Sequence, residues 1–408
     1  MSDQVIHNGL DGIVAAETSL SMVDGIAGEL VIAGFPVAEL AMNATFEETA
    51  YLLWYGALPS EEELSAFRAD LSRRRALPSV AHGLLRASAR TRIDAMDALR
   101  MAAGTVSLRG AQSDDDAARD LLAALPTIVA AHWRSLHDQD PIAPRMDLGH
   151  AANFLYMLSG QSPSDERVRG LETYLNTVVD HGLNASTFAA RVIASTNSDL
   201  VSAIAGAIGA LKGPLHGGAP GPALNMVFEI AEAGRAEEVL RRKIESGQRL
   251  MGFGHRVYKV RDPRADVLAA AAERMFNAGR TSVPQIALNE TDVGLKSGLH
   301  GVALYDLALA VERIALRLLV EYKPGRNLQT NVEFYTALLL HGLGLEVPLF
   351  TPTFAISRVA GWIAHCFEQR RANRVIRPQS VYRGRRDRRW VPIAERGAHR
   401  AAPPLVSS

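Results

Sequence analysis

Apolar residues recur at helical spacing through most of this sequence, and alternating strand patterns are scarce. Ser60 is a candidate N-cap with Glu63 three residues later, which is the capping-box pattern that opens a helix. Residues 199–211 are apolar almost all round, which predicts a buried helix that follows the cap candidates Asn197 and Ser198. These patterns predict a mainly α, multi-helical protein.

Three more helices are predicted towards the C-terminus, at 301–322, 332–343 and 353–372. The clearest strand pattern is GELVIAGF at 28–35, which turn residues flank on both sides. The sequence therefore predicts a short β element near the N-terminus of a helical fold.

Two shifts in composition predict internal domain boundaries. The chain becomes rich in Gly and Pro at 213–222, and it becomes polar and turn-like at 323–330. We interpret 1–221 and 326–408 as two parts of a large helical domain, with 222–325 as a smaller helical domain inserted between them.

Composition sets limits on the function. The 44 Lys and Arg residues balance 44 Asp and Glu residues, which argues against a broad nucleic-acid-binding surface. The single cysteine, Cys366, has no partner in the sequence for a disulfide or a multi-thiolate zinc site, so a reducing cytoplasm is the expected compartment. The N-terminus lacks a secretory pattern, and the most apolar run, 121–133, is too short to span a membrane.

Two histidines lie in glycine-rich contexts that let a backbone approach a small ligand. His216 lies in GPLHGGAPGP, among glycines at 217, 218 and 221. His255 lies in MGFGHRVYKVRDPRA, where the following basic residues suit phosphates or carboxylates. These basic residues are Arg256, Lys259, Arg261 and Arg264. From the residues alone, a surface turn histidine and a solvated basic loop stay open as alternatives.

Glu333 follows the cap candidates Thr330 and Asn331, which places it in the first turn of a helix, where the dipole stabilises a carboxylate anion. His181 and Asn184 are three residues apart and share one face if that segment is helical. Simple capping and a structural histidine are the alternatives. Two histidines and a carboxylate could bind a metal, but no HExxH or HxH spacing supports this, so no metal is predicted.

Eight motifs in sequence order resemble the citrate synthase family, of the shorter bacterial and archaeal type that includes 2-methylcitrate synthases. They are GLDGIVAAET, ATFEETAYLLWYGALP, DHGLNASTFAAR, GPLHGGAPGPA, GFGHRVYKVRDPRA, NVEFYTALLL, TPTFAISRVAGW and RVIRPQSVYRG. The resemblance implies a helical homodimer whose small domain closes over the substrates. It also implies condensation of acetyl-CoA with oxaloacetate and thioester hydrolysis to citrate and CoA, with no cofactor or metal.

The resemblance further implies a role for each matching residue. His216 hydrogen-bonds the thioester oxygen, His255 polarises the ketone of oxaloacetate and Glu333 removes the methyl proton. The residues implied to bind oxaloacetate are His181, Asn184, Arg264, Arg358 and Arg377, the last from the partner subunit. The residues implied to bind CoA are Leu250, Met251, Gly252, Phe253, Gly254 and, at a phosphate, Lys259.

Two positions depart from the usual family pattern. Glu333 stands where the family has Asp, in NVDFY, and the AGF at 33–35 replaces RGY or RGI. A 2-methylcitrate synthase that uses propionyl-CoA stays open, because a pocket distinguishes one methylene by only about 1–3 kcal/mol. A different class of function also stays open: an inert relative that binds partners through residues 370–400, which hold eleven arginines. A solvated, partly ordered tail is the simpler interpretation of that segment.

Overall fold

The computed structural model describes most of the chain, namely residues 6–10, 12–217, 220–255, 257–278 and 302–396. Several positions used in the sequence predictions lie outside the described residues. They are Gly218 in the His216 loop, Arg256 after His255, Gly301 at the start of the helix expected at 301–322, residues 279–300 of the predicted small domain, and residues 397–400 of the arginine-rich segment.

A small antiparallel sheet lies near the N-terminus, as predicted. Its three strands, in the order β1-β2-β3, are β1 Ser21–Asp24, β2 Glu29–Ile32 and β3 Phe35–Pro36. The single strand expected at 28–35 is divided in two, because Ala33 and Gly34 have positive φ angles of 46° and 89° and turn the chain back on itself.

The described residues form sixteen α-helices, which confirms the mainly α fold. They are α1 Val37–Asn43, α2 Phe46–Tyr55, α3 Glu61–Arg73, α4 Ser79–Arg90, α5 Ala95–Ala103, α6 Asp114–Leu136, α7 His150–Ser159, α8 Asp165–Val178, α9 Ala185–Ser195, α10 Leu200–Leu211, α11 Pro220–Ala233, α12 Ala236–Glu245, α13 Pro263–Ala278, α14 Val302–Tyr322, α15 Val332–Gly342 and α16 Phe350–Arg371.

Side-chain caps set the start of several helices. The capping box before α3 is confirmed, since the side chains of Ser60 and Glu63 each accept the other's backbone N–H. For α10 the expected caps were wrong: Asp199 is the cap, and its carboxylate accepts the N–H three residues on at 2.8 Å. Asn197 instead turns the chain with a φ of 62°, and Ser198 only precedes the cap.

Two long helices form the centre of the core. In α6 the residues from Leu121 to Ala131 are almost all fully buried, and the helix continues through Pro126. Helix α16 is buried along most of its length and packs against α2, α6, α8, α9 and α10. No single described helix is long and apolar enough to cross a membrane. Only the bent pair Val332–Gly342 with Val347–Arg371 passes that test together, by length and composition.

The chain divides into two compact units. The larger, Ala16–Ile376, contains the sheet and all the described α-helices. The smaller combines Met1–Ala15 with Arg377–Ser408. Its described arginines are exposed, and Arg385 pairs with Asp387 at 2.9 Å. The further division of the larger unit into a large and a small domain stays a prediction.

The turn between β2 and β3 leads to a stability prediction. Ala33 has a φ of 46°, which costs an alanine about 1 kcal/mol relative to glycine. We expect Ala33→Gly to raise the free energy of unfolding by up to about 1 kcal/mol. The same exchange in helix α1, Ala38→Gly, should lower it by about 1 kcal/mol. Urea or thermal denaturation measures both, and a loss of stability in both variants would contradict the assignment of strain to Ala33.

Candidate active site

One face of α16 hydrogen-bonds to the segment 178–191, which joins α8 to α9 and includes the first turns of α9. The Nε of Arg358 donates to the carbonyl oxygen of Val178 at 2.7 Å. One turn further along, the indole N–H of Trp362 donates to the Ser186 hydroxyl at 3.0 Å. This segment carries His181 and Asn184, so the buried helix α16 holds the backbone that presents two predicted site residues.

A buried chain of charged and polar groups continues along the same helix. His365 is fully buried, and its Nε2 lies 3.2 Å from the carboxylate of Asp180, the residue before His181. Arg191 lies 3.1 Å from the other ring nitrogen and donates to Glu368 at 2.7 Å. Because Arg191 can only donate, His365 accepts at Nδ1 and donates from Nε2. His365 therefore donates to the carboxylate of Asp180 and fixes its position.

His181 lies in the loop between α8 and α9, and Asn184 is the N-cap of α9. The two would share a helical face only if this segment were helical, and that condition is not met because the helix begins after Asn184. The Nε2 of His181 lies 3.1 Å from the Tyr258 hydroxyl. Burial, together with the positive charges of Arg264 and Arg358, holds the pKa of His181 well below 6.5, so the ring is neutral at neutral pH.

His216 lies in the loop after α10, against the first turn of α9. Its Nε2 accepts the backbone N–H of Ser186 at 3.3 Å and lies 2.8 Å from the hydroxyl of the same residue. Because Nε2 accepts, the proton is on Nδ1, which can donate to a ligand. Burial, with a smaller effect of Arg358, lowers the pKa of His216 to about 4, so this donor is neutral.

His255 is oriented by its own loop. Its Nδ1 accepts the backbone N–H groups of Val257 and Tyr258, both at 3.0 Å, whereas Nε2 lies 3.5 Å from Nη2 of Arg264, at the limit of hydrogen-bond distance. The two shorter bonds place the proton on Nε2. Burial, followed by the charge of Arg264, lowers the pKa of His255 to about 4. The ring centroids of His181 and His255 are 6.1 Å apart. Two neutral histidines thus lie side by side in one site.

Arg264 lies beside these histidines and is paired with Asp262. The two side chains form a forked ion pair, with Nη2–Oδ2 at 2.8 Å and Nε–Oδ1 at 3.0 Å, and both are buried. The Oδ2 of Asp262 also accepts the N–H of Val332, the first residue of α15, at 3.3 Å. The pair therefore links the loop that carries His255 to the start of α15. Asp262 also reduces the net positive charge of the site.

Arg358 is the second buried arginine of the site, and only 2% of its surface is exposed. No carboxylate of the described residues lies within ion-pair distance of it, and its guanidinium packs 4.6 Å from the Phe354 ring centroid. Burial lowers its pKa to about 10, which still leaves it protonated at neutral pH. A buried arginine without a carboxylate in contact favours the binding of an anionic ligand.

Glu333 lies in the first turn of α15, where the side chain of Asn331 caps the helix by accepting the Glu333 N–H at 3.0 Å. The position is as predicted, but the helix terminus does not keep the pKa of the carboxyl low. Burial raises the pKa of Glu333 to about 7, and Asp262 raises it further, although Arg264 opposes the change. The cost of removing the carboxylate from water thus exceeds the stabilisation by the helix terminus.

The loop Leu250–Gly254, expected at the CoA site, lies against the approach to α15. The carbonyl of Gly252 accepts the N–H of Asn331 at 3.0 Å, and Gly254 N–H donates to Gln329 at 2.7 Å. Within this loop, Leu250 is buried, and Met251 and Phe253 are partly buried. A Cβ on Gly252 would lie 2.9 Å from that of Phe334, so only glycine fits this approach. Lys259, the expected phosphate contact, is exposed.

Arg377 is separate from the other candidates. It is the first residue of the C-terminal part of the smaller unit and is exposed, whereas the other candidates belong to the larger unit.

Sequence reasoning missed several residues that hold the site together, namely Asp180, Ser186, Tyr258, Asp262 and Trp362. Their closeness in sequence to predicted site residues could have identified four of them. All but Trp362 lie within three residues of a predicted site residue in DHGLNAST or HRVYKVRDPR.

Comparison with known proteins gives one consistent family. The family model "Citrate synthase, C-terminal domain" matches residues 9–379. The chain is 38% identical over 403 residues to citrate synthase of Haloferax volcanii, covering 96% of this chain and 99% of that protein. It is 38% identical to 2-methylcitrate synthase of Shewanella oneidensis, covering 95% and 97%.

Comparison of the fold with solved structures identifies the same family. The crystal structure of citrate synthase from Pyrobaculum aerophilum matches with a TM-score of 0.82 at 36% identity, covering 96% of this chain and 95% of that one. Sequence and fold thus agree with each other along nearly the whole length. The chain belongs to the citrate synthase family and is an enzyme that condenses an acyl-CoA with oxaloacetate.

Proposed function

We propose that this enzyme is a citrate synthase, which condenses acetyl-CoA with oxaloacetate and hydrolyses the resulting thioester to citrate and CoA. One observation carries the proposal. Three groups interact with the same pair of buried arginines: the charge of Arg358 acts on the neutral His216, and the charge of Arg264 acts on the neutral His255 and on Glu333, a carboxyl group with a pKa of about 7. Carbon–carbon bond formation through an enol needs these groups: a base for the methyl proton and separate donors for two oxygens.

Enolisation is the first step. Glu333 takes a proton from the methyl group of the thioester, and Nδ1–H of His216 donates to the thioester oxygen as negative charge develops there. A neutral donor suits this task, because the thioester oxygen gains stabilisation without a buried cation. The pKa of Glu333, about 7, places the base near the pH at which it works, where general-base catalysis is most effective.

Condensation follows on the oxaloacetate side. Nε2–H of His255 polarises the ketone and gives its proton to the new alkoxide as the enol carbon attacks. Arg264 and Arg358 bind the substrate's carboxylates, with His181 and Asn184 beside them and Arg377 from the partner subunit. Side chains thus supply every electrophilic donor, so the proposed reaction needs no metal or cofactor. Water then hydrolyses the thioester, and Leu250–Gly254 with Lys259 bind CoA.

The choice of acetyl-CoA over propionyl-CoA rests on Glu333. From the same backbone position, glutamate reaches one methylene further than the usual aspartate, towards the carbon from which it removes a proton. Propionyl-CoA carries its extra methyl group on that same carbon, so the longer base and the larger acyl group compete for one space. The second candidate, a 2-methylcitrate synthase, is supported by relatives of that name at 36–38% identity.

We further propose a homodimer, because the resemblance places Arg377 in the partner's site, and within its own chain Arg377 lies outside the unit that holds the other candidates. A cytoplasmic location stays a prediction.

The acyl preference is tested by steady-state kinetics. With oxaloacetate, we expect kcat/KM for acetyl-CoA to exceed that for propionyl-CoA by about 10- to 200-fold, the range that one methylene supports. In Glu333→Asp the shorter base returns space to the pocket, so the ratio should move towards propionyl-CoA even if both rates fall. A preference of the unaltered enzyme for propionyl-CoA would instead identify a 2-methylcitrate synthase.

The charge state of Glu333 leads to a pH prediction. The base acts when ionised, so kcat/KM for acetyl-CoA should rise about tenfold per pH unit below pH 7 and level off above it. Glu333→Gln should lower kcat by a factor of roughly 100 or more. Glu232→Gln, at an exposed carboxyl on α11, serves as the control and should leave the profile unchanged.

The stability of the fold should fall with rising pH as Glu333 ionises, whereas kcat/KM rises. The folded-state pKa of Glu333 is raised from 4.5 to about 7, so its ionisation destabilises the fold progressively over that pH range and fully above it. Glu333→Gln removes this cost, and its Tm at pH 8 should equal or exceed that of the unaltered enzyme. A Gln variant that keeps most of its kcat would show that another group is the base.

The dimer prediction is tested by complementation. Arg377→Ala and His255→Ala subunits should each be inactive as homodimers. Mixed dimers should recover part of the activity, because one of their two sites has an intact histidine and an intact arginine from opposite chains. The measurement is turnover after subunit exchange, with heterodimers confirmed by native mass spectrometry. If heterodimers form without any recovery, Arg377 does not act in the partner's site.

A further inference from the structure

Tyr258 is a buried residue that contacts three residues of the site without being one of the predicted candidates. Only 3% of its surface is exposed. Its hydroxyl lies 3.1 Å from Nε2 of His181, and its backbone N–H donates to Nδ1 of His255 at 3.0 Å. The guanidinium carbon of Arg264 lies 5.8 Å from its ring centroid. One side chain therefore contacts two histidines and an arginine of the oxaloacetate side.

The Tyr258 hydroxyl is suited to donate to Nε2 of His181. A neutral imidazole has one N–H and one acceptor nitrogen, and a tyrosine hydroxyl can supply the proton for a bond to the acceptor. With the hydroxyl as the donor, Nε2 accepts and the proton of the His181 ring is on Nδ1. Burial raises the pKa of Tyr258 to about 12, so the hydroxyl keeps its proton.

The same contact joins two parts of the chain that are distant in sequence. His181 precedes α9, whereas Tyr258 lies in the loop between His255 and α13. The ring centroid of Tyr258 is 5.7 Å from that of His181 and 4.8 Å from that of His255. The tyrosine thus lies against both imidazoles and sets the distance between them. Apolar burial explains the position of its ring, but it does not explain a hydroxyl that meets a histidine nitrogen.

We propose that Tyr258 is a positioning residue for oxaloacetate binding. Its hydroxyl orients the His181 ring and holds the ring's proton on Nδ1, and its backbone N–H helps to hold the proton of His255 on Nε2. The two imidazoles thereby present fixed and different donor atoms. The inference rests on the proposed function in one respect, namely that His181 and His255 face oxaloacetate.

The test removes only the hydroxyl. In Tyr258→Phe we expect Kd and KM for oxaloacetate to rise about tenfold, the usual consequence of losing one buried hydrogen bond in a binding site. KM for the acyl-CoA should stay within about twofold, since the change lies on the oxaloacetate side. Calorimetry measures the Kd without turnover. The matched control is Tyr305→Phe, which removes the hydroxyl of another buried tyrosine, 3.5 Å from the Ala269 carbonyl, and it should change neither constant.

Nitrogen-15 spectra of the histidine rings give a readout that a purely structural role would not change. In the unaltered protein the His181 ring, assigned by loss of its signal in His181→Asn, should be protonated at Nδ1. In Tyr258→Phe we expect a mixture of the two tautomers. A proton on Nε2 of His181 in the unaltered protein, or an unchanged Kd and tautomer in Tyr258→Phe, would overturn the proposal.

Failure of the proposed function has a different signature. If neither acyl-CoA is turned over while oxaloacetate still binds, the citrate synthase assignment fails, but the Tyr258→Phe shift in Kd and the tautomer change still support the positioning role. If Tyr305→Phe weakens oxaloacetate binding as much as Tyr258→Phe, the effect is a general loss of packing, and the positioning role is overturned even in an active enzyme.

Discussion

Buried polar groups need hydrogen-bond partners, and on helix α16 this requirement organises the whole site. Arg358, Trp362 and His365 follow one another on one face of a helix that lies in the core, and none of them reaches bulk water. Leaving even one of them unpaired would cost on the order of 1–3 kcal/mol. The segment 178–191 supplies the partners: a carbonyl, a hydroxyl and a carboxylate. The segment that carries His181 and Asn184 is therefore held in place by the core of the protein.

Close backbone approach makes this arrangement possible. At Gly361 an added Cβ would lie 2.3 Å from the carbonyl oxygen of Val179, so any larger residue would push α16 away from the segment. Arg358 and Trp362, on either side of Gly361, make hydrogen bonds that depend on this distance. Glycine at 361 thus acts on the site indirectly, through the distance between a helix and a loop, although its own chemistry is inert.

The same burial sets the protonation states. Two arginines and little water make a protonated histidine costly, so His216 and His255 have pKa values of about 4 and act as neutral donors. The opposite holds for Glu333, whose carboxylate loses hydration and has a pKa of about 7. Asp262 keeps the excess positive charge small by pairing with Arg264. One physical cause, desolvation, therefore keeps the two histidines neutral and moves the pKa of Glu333 towards neutral pH.

The sequence could predict the features that depend on residues close to one another in the chain, and not those that depend on distant segments. The capping box of α3, the helices near 301–371 and the place of Glu333 in a first helical turn depend on neighbours within a few residues, and all are confirmed. The pKa of Glu333 depends on burial by distant segments, so the local helix-dipole argument predicts a pKa that is too low. The network of Ser186 and Trp362 joins residues 176 positions apart, and no local pattern encodes it. The resemblance supplied the candidate residues, but not the hydrogen bonds that position them.

The start of α15, which carries the proposed base Glu333, packs closely against the expected CoA loop. This packing limits how the helix can adjust to a glutamate at position 333. Phe253 and Thr330 form a β-bridge, Gly252 accepts the N–H of Asn331, and Gly252 packs directly on Phe334. The start of α15 cannot retreat without breaking these contacts or the bond from Val332 to Asp262. An extra methylene at position 333 is therefore not absorbed by a backward shift of the helix. In the mechanism proposed above, it takes up space next to the acyl carbon, so we expect the packing of this loop to limit the space left for the substrate.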